Sequence, residues 1–337
     1  RFRIRNSNTQ TRVWDLSNPL SPLAMQLTAT ADGVQFTGDC SVLREYIAFN
    51  NSSLLVPQAA ARIDNQNLHG SPVADYIIIT APALLGQANR LAQYHQQRDQ
   101  LRSVVVTSEQ VFNEFSSGIA DPVAIRDFVK MFYDRAGGDS TKMPRYLLLF
   151  GDGSFDYKKR ITGNTNLVPV FESGESLAPL ETYTSDDFFG FLGDGDNINN
   201  PGTYLLDIGI GRIPAATEAQ ARAIVDKILS YTSPKAYGPW RTDLSFVADD
   251  EDNNLHLEDA ETIAAAVGTG NRDFNLDKIY LDAFSQESGS GGSRYPQVNL
   301  AIINKTYNGN LIWNYTGHGG SRRLADEVIL DQDIINS

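Results

Sequence analysis

Of the 337 residues, 41 are acidic and 28 basic, and the formal net charge of −13 disfavours nucleic-acid phosphates and anionic membrane surfaces as partners. With 41% apolar residues the chain can bury packed cores, and its length predicts two domains. No apolar run has the length of a transmembrane helix, since even residues 76–85 are broken by Thr80 and Pro82. The first residue is Arg1 rather than Met, which implies that the start was removed together with any targeting signal. The single cysteine, Cys40, excludes an internal disulfide framework and a thiolate metal cluster.

Residues 1–70 consist of short alternating segments broken by Asn, Ser, Pro and Gly, such as 11–16 and 33–37, and predict a small β-rich leading module. Within it Cys40 lies in Gly38-Asp39-Cys40-Ser41, lacks the local signature of a papain-like nucleophile and reads as a buried structural thiol. From Ala74 onward, apolar segments alternate with amphipathic ones, the signature of βαβ units and a mainly parallel sheet. Strands are predicted at 76–80, 104–106, 146–150, 205–211, 244–248, 278–281 and 311–315, each apolar enough to be buried on both faces. Asp121 followed by Pro122 is an N-cap with a first-turn proline, opening a helix through Phe128 and Phe132 that Gly137 ends. Thr217 and Gln220 form a capping box for a helix that carries Ala221, Ile224 and Ile228 on one face and stops before Pro234. Breaks at 140–143 and in the polar stretch 157–203 divide the α/β part into subdomains at 71–180 and 181–337, meeting near residue 180.

The segment Leu311-Ile312-Trp313-Asn314-Tyr315-Thr316-Gly317-His318-Gly319-Gly320 ends a strand at a histidine flanked by glycines. That places an imidazole at the carboxyl edge of a parallel sheet, where open α/β folds bind ligands. The glycines let a substrate approach the backbone and leave an N–H group to face a developing oxyanion. A plain glycine turn with an incidental histidine fits the same residues equally well. Two acidic loops approach the EF-hand pattern without completing it: Asp249-Asp250-Glu251-Asp252-Asn253-Asn254 has Leu255 where glycine belongs, and Asp194-Gly195-Asp196 has Ile198 where a third ligand belongs. His256 either caps the helix near Glu258 or touches the active-site side. Gly209-Ile210-Gly211-Arg212-Ile213-Pro214 lacks the third glycine of a dinucleotide fingerprint, and Gly151-Asp152-Gly153 is too short to cradle phosphates.

Asn314-Tyr315-Thr316-Gly317-His318-Gly319 resembles the catalytic-histidine motif of the gingipain family of caspase-like cysteine peptidases. Tyr146-Leu147-Leu148-Leu149-Phe150-Gly151-Asp152, Ser185-Asp186-Asp187-Phe188-Phe189-Gly190 and Asp207-Ile208-Gly209-Ile210-Gly211-Arg212 agree in order, so the resemblance covers residues 74–337. It implies an α/β fold class, with caspase-like, mainly parallel sheets flanked by helices in two subdomains after the β-rich module. It further implies that His318 is the catalytic histidine, that Asp207 orients it where gingipains have a glutamate, and that the Gly319 N–H is the oxyanion donor. An alternative for Asp207 is a strand-end carboxylate that caps nearby backbone. None of the 19 residues after His318 is cysteine, so the chain reads as an inactive fragment that stops before its nucleophile.

Arginine-selective members bind the substrate guanidinium through an aspartate at the position matched here by Gln220, which implies a different substrate. The segments are most similar to the sortase branch of the type IX secretion system. Membership there implies protein substrates with C-terminal signal domains, outer-membrane secretion partners and a location at the bacterial cell surface, outer-membrane associated or secreted. No cofactor is required, and the family's use of calcium admits a calcium site in either acidic loop. A gingipain-like secreted protease or a non-catalytic surface binding module are the alternatives.

Overall fold

A computed structural model describes residues 1–56, 62–174, 177, 182–198, 204–290, 292–320 and 322–336, and separates the chain into one unit at Arg1–Gln66 and another at Asn67–Ser337. The first unit consists of β1 (Phe2–Arg5), β2 (Arg12–Asp15), β3 (Leu23–Ala24), β4 (Thr28–Thr30), β5 (Gly33–Phe36) and β6 (Tyr46–Phe49). They pair antiparallel, in the orders β1-β5-β4 and β3-β2-β6. Alternation turns Val34 and Phe36 of β5 inward, and the Phe36 ring lies 5.2 Å from Phe2 and 5.0 Å from Tyr46. This is the expected β-rich module. Cys40 corrects its reading as a buried thiol. It is exposed, in a turn where its Sγ faces the Gly38 carbonyl oxygen at 3.8 Å, because Asp39 and Ser41 bond each other rather than covering it.

The second unit begins with β7 (Tyr76–Thr80), α1 (Leu85–Asp99), β8 (Ser103–Thr107), α2 (Ser108–Phe115), α3 (Pro122–Ala136) and β9 (Tyr146–Phe150). A two-stranded ribbon of β10 (Phe171–Glu172) and β11 (Thr184–Ser185) precedes β12 (Gly209–Ile213) and α4 (Glu218–Tyr231). Strands β7, β8, β9 and β12 form a parallel sheet in the order β12-β9-β7-β8, with Thr80 level with Phe150 and Thr107. The two-residue period of β7 and β9 decides which helix covers which face. Ile77, Ile79, Leu147 and Leu149 face Val111 of α2 and Ile125 and Phe128 of α3. Tyr76, Ile78, Leu148 and Phe150 face Leu91 of α1 and Val225 of α4. With helices on both sides, every residue of β7 is buried. The helix ends follow their caps: the Asp121 carboxylate accepts from the Val123 N–H at 2.8 Å, and Gly137 ends α3 in the left-handed conformation.

The chain continues through β13 (Asp243–Ala248), α5 (Leu255–Gly270), β14 (Asn275–Tyr280), the hairpin of β15 (Glu287–Gly289) and β16 (Gly292–Arg294), and α6 (Pro296–Asn308). It ends in β17 (Ile312–Thr316), the antiparallel pair β18 (Arg323–Leu324) and β19 (Leu330–Asp331), and α7 (Gln332–Asn336). A second parallel sheet has the order β14-β13-β17, with Ala248 level with Tyr280 and Thr316. On one face Val247 packs with Val298 and Ile302 of α6, and on the other Leu244 and Phe246 pack with Ala264 of α5. The α/β fold class, with mainly parallel sheets flanked by helices behind an antiparallel β module, is therefore present. No helix among the described residues is long and apolar enough to cross a membrane.

The division near residue 180 is corrected. Residue 180 lies outside the described residues, and β12 and α4 still belong to the first sheet, so the chain reaches the second sheet only with β13. The described residues of the polar stretch before β12 are held to the first sheet rather than forming a break from it. Phe189, Leu192 and Ile208 enter its core, and Arg212 binds the Asp186 carboxylate at 2.7 and 2.8 Å together with the carbonyls of Gly151, Val168 and Pro169. The strand expected at 205–211 forms later, at 209–213, as an edge strand that is only partly buried. Phe128 is wholly buried where α3 meets β7 and β9. Phe128→Ala should therefore cost about 3–5 kcal/mol in urea unfolding, and a loss below about 1 kcal/mol would contradict this packing.

Candidate active site

The pairing of β13 with β17 carries both chains to a common carboxyl edge. There the Asp249 N–H donates to the Thr316 carbonyl at 3.1 Å, extending the ladder by one residue. Gly317 follows, and a Cβ at this position would overlap Asp249 Cβ and lie 2.5 Å from Tyr315 Oη. Only glycine lets the backbone pass this close, and the tight passage delivers His318 onto the Asp249 side chain.

Asp249 is 1% exposed. Its Oδ2 accepts from the His318 backbone N–H at 3.0 Å and faces His318 Nδ1 at 3.2 Å. Tyr315 Oη donates to the His318 carbonyl at 2.7 Å, which holds the far side of the same residue's backbone. The imidazole is half exposed and meets two more carboxylates, Glu251 at 3.4 Å from Nδ1 and Asp252 at 3.2 Å from Nε2. His256, from the first turn of α5, stands edge-on to it with centroids 4.9 Å apart. Asp252, Asn253 and Asn254 all have left-handed φ (59°, 55° and 70°), and so fold the loop back towards the histidine. Asp and Asn tolerate that region better than most residues.

The hydrogen bond to Asp249 raises the His318 pKa above the ordinary histidine value, and the charges of Asp252, Asp249 and Glu251 add to it. With Nδ1–H directed at Asp249, the neutral ring keeps its lone pair on Nε2. The two flanking carboxylates differ in freedom: Asp249 is fixed in the core, while Asp252 is about half exposed. The arrangement can hold a histidine in one tautomer and move a proton at Nε2. Gly319 lies across from Leu324, and the bonds that close this turn come from the Gly320 and Ala325 N–H groups.

The other expected site residues lie elsewhere. Asp207 is not brought to His318. Its carboxylate accepts from the Leu192 N–H at 2.9 Å and lies beside the Tyr133 hydroxyl, which is the backbone-capping role. It precedes β12, at the amino edge of the first sheet, whereas His318 follows a strand of the second. The Gln220 carboxamide oxygen accepts from the Ala216 and Thr217 N–H groups at 2.9 and 3.2 Å, so the cap of α4 accounts for this side chain without a substrate pocket. Of the two acidic loops, that at 194–196 is satisfied internally: Asp194 pairs with Lys130 at 2.9 Å, and Asp196 accepts from the Gly193 N–H at 2.7 Å. In the other, Glu251 and Asp252 turn to His318 rather than towards a common centre. Of the alternatives for His256, the structure shows contact with His318. Asp249 escaped the sequence reading as a partner of His318, although its place directly after a buried strand was a usable signal.

A family model of peptidase family C25 matches residues 69–337. The chain belongs to this family. Among solved structures, this C25 chain is similar to dimeric latent PorU from Porphyromonas gingivalis, at 33% identity and a TM-score of 0.61 over 71% of this chain and 24% of that one. It is also similar to the Arg-specific cysteine proteinase gingipain R, with 18% identity and a TM-score of 0.53 over 77% of this chain and 50% of that one, a likeness that concerns the fold alone. The C25 chain thus spans about a quarter of the PorU chain. Comparison with curated proteins finds no match.

If Asp249 sets the state of His318, Asp249→Asn lowers the histidine pKa towards about 6.5 and Asp207→Asn leaves it unchanged. NMR titration of the imidazole in metal-free buffer measures both, and an unchanged pKa in Asp249→Asn would remove Asp249 as the orienting group.

Proposed function

We propose that the chain supplies the base and its orienting carboxylate to a cysteine-peptidase centre, with the thiol contributed from outside these 337 residues. The observation that carries this is the buried Asp249 carboxylate on both the N–H and the Nδ1 of His318, at the carboxyl edge of a parallel sheet. The only cysteine, Cys40, belongs to the N-terminal unit and is assigned no part in the chemistry.

In this reading Asp252 withdraws from Nε2, which then takes the proton of the thiol. The thiolate attacks a peptide carbonyl, and the Gly319 N–H donates to the oxygen as it gains charge. His318 returns its proton to the leaving amine, leaving an acyl-enzyme that water or a second amine resolves. Asp249 keeps Nδ1–H in place and stabilises the imidazolium, the part of an acidic triad member. The 33% identity to PorU supports the sortase branch over a digestive protease. The substrates proposed are accordingly secreted proteins bearing C-terminal signal domains, met at the bacterial surface with outer-membrane secretion partners, and the acceptor is an amine rather than water.

The test uses a longer protein that includes the proposed thiol, given cargo with and without added amine, and read by mass spectrometry of the products. Transfer to the amine is expected, with loss of turnover in His318→Ala and a fall in kcat of about 100-fold or more in Asp249→Asn. Hydrolysis indifferent to amine would reject the sortase branch, and full activity in Asp249→Asn would reject the proposed centre. For the chain of 337 residues, a peptidyl electrophile should give no His318-dependent adduct at Cys40.

A further inference from the structure

The Gly209-Ile210-Gly211 run, too incomplete for a dinucleotide fingerprint, borders a cavity of about 710 Å³ at the amino edge of the first sheet. In register Gly209 stands beside Tyr146 and Gly211 beside Leu148, so both glycines lie on the face that Leu148 turns to α1. Neither conformation nor packing within the described chain requires glycine at 211. Its φ is not left-handed, and a Cβ built on it would meet nothing within 4 Å. A glycine inside a strand weakens it and marks a place where a ligand can approach the backbone. Tyr76, level with Tyr146 in the adjacent strand, lines the same cavity and is 8% exposed. Burial alone raises its pKa, and its hydroxyl makes no hydrogen bond to another described residue. His95 of α1 stands edge-on to it, with ring centroids 5.5 Å apart, and commits Nδ1 to Asp99 at 2.7 Å.

Arg145 supplies the charge. Its guanidinium lies 5.2 Å from the centre of the Tyr146 ring, and Nη2 donates to Tyr146 Oη at 3.3 Å. Asp75, whose carboxyl feels this charge, is already bonded by Arg102 at 2.8 and 2.7 Å, and Arg145 forms no ion pair among the described residues. Asp99, the carboxylate in the cavity wall, is engaged by His95 and lies 3.8 Å from Arg98 Nε. The cavity thus offers a bare sheet face between aromatic rings, a phenol hydroxyl with no protein partner and a guanidinium without a counter-charge. Planar rings pack well on such a face, and a guanidinium matches a carboxylate in geometry as well as charge. We infer that the cavity binds an aromatic carboxylate, its ring laid against Gly209 and Gly211 and its carboxylate on Arg145. A free acid and the C-terminal residue of a peptide share this chemistry. The site is at the amino edge of the first sheet, whereas His318 follows a strand of the second, so the inference does not depend on the peptidase reading.

The test uses the chain of 337 residues, titrated calorimetrically with hydrocinnamate, with its neutral amide, and with a short peptide ending in phenylalanine, the peptide both free and amidated at its C-terminus. Hydrocinnamate is expected to bind once per chain with a Kd of about 1 mM or below, and its amide about 10-fold more weakly, as loss of a charge-assisted hydrogen bond requires. Arg145→Gln should remove that difference, and Tyr76→Phe should weaken the acid about 5-fold at an unchanged Tm. Gly211→Val fills the sheet face, so affinity for the acid should fall about 10-fold or more while Tm equals or exceeds that of the wild type, because a β-branched residue suits a strand. Binding of the free peptide but not the amidated one, with the same dependence on Arg145, assigns the site to peptide C-termini; binding of hydrocinnamate alone assigns it to free acids. Equal affinity for acid and amide, affinity unchanged in Gly211→Val, or no heat from any of these ligands at about 10 mM would overturn the site. A Gly211→Val protein that melts below the wild type would overturn it too, by showing that the face is not open.

Discussion

The backbone N–H of His318 donates to a carboxylate that has almost no contact with solvent, and that bond depends on two parallel strands ending at the same level. Asp249 continues β13 and His318 follows β17, so the register of Ala248 against Thr316 sets their separation. A slip of one residue would turn Asp249 to the other face and expose what is now core. The glycine between strand and histidine is part of the same constraint, since any side chain at Gly317 would collide with Asp249 and Tyr315.

Electrostatics around this bond is one-sided. Carboxylates approach His318 from Asp249, Glu251 and Asp252, and part-buried Asp250 and buried Glu327 each bring an oxygen near Asp249. A net charge of −13 spread over a surface would be weak and screened. Gathered at one sheet edge, the same sign of charge acts in a medium of lower dielectric and alters the state of a single imidazole. The exposed members can move and the buried one cannot, so the loop carboxylates modulate a state that Asp249 establishes.

Much of the fold was legible because burial on both faces leaves a plain signal. β7 and β9 have unbroken apolar runs, and both were read at their observed bounds. Asp121, Pro122 and Gly137 mark α3 because the cap chemistry is local. The site was legible only in part. His318 announced itself through its glycines and its place at a strand end. Its partner did not, because adjacency of strands in a sheet is set by long-range pairing that no local pattern records. Asp207 belongs to a family motif, yet it stands before its strand and so at the amino edge of the other sheet, where it caps Leu192. The polar run before β12 misled in the same way: its composition suggested a break between subdomains, while a few apolar residues and the Arg212–Asp186 pair fasten it to the first sheet.

The sequence separation of 69 between Asp249 and His318 has a kinetic consequence. β13 pairs with β14 across one helix, but it meets β17 only after a longer segment has closed. Closure of such non-local pairs is slow compared with helix and hairpin formation. Until β17 joins β13, Asp249 is not held against His318, so the basicity that this carboxylate confers depends on completion of the sheet. Topology alone thus delays the chemistry of the site until the chain that would carry it has finished folding.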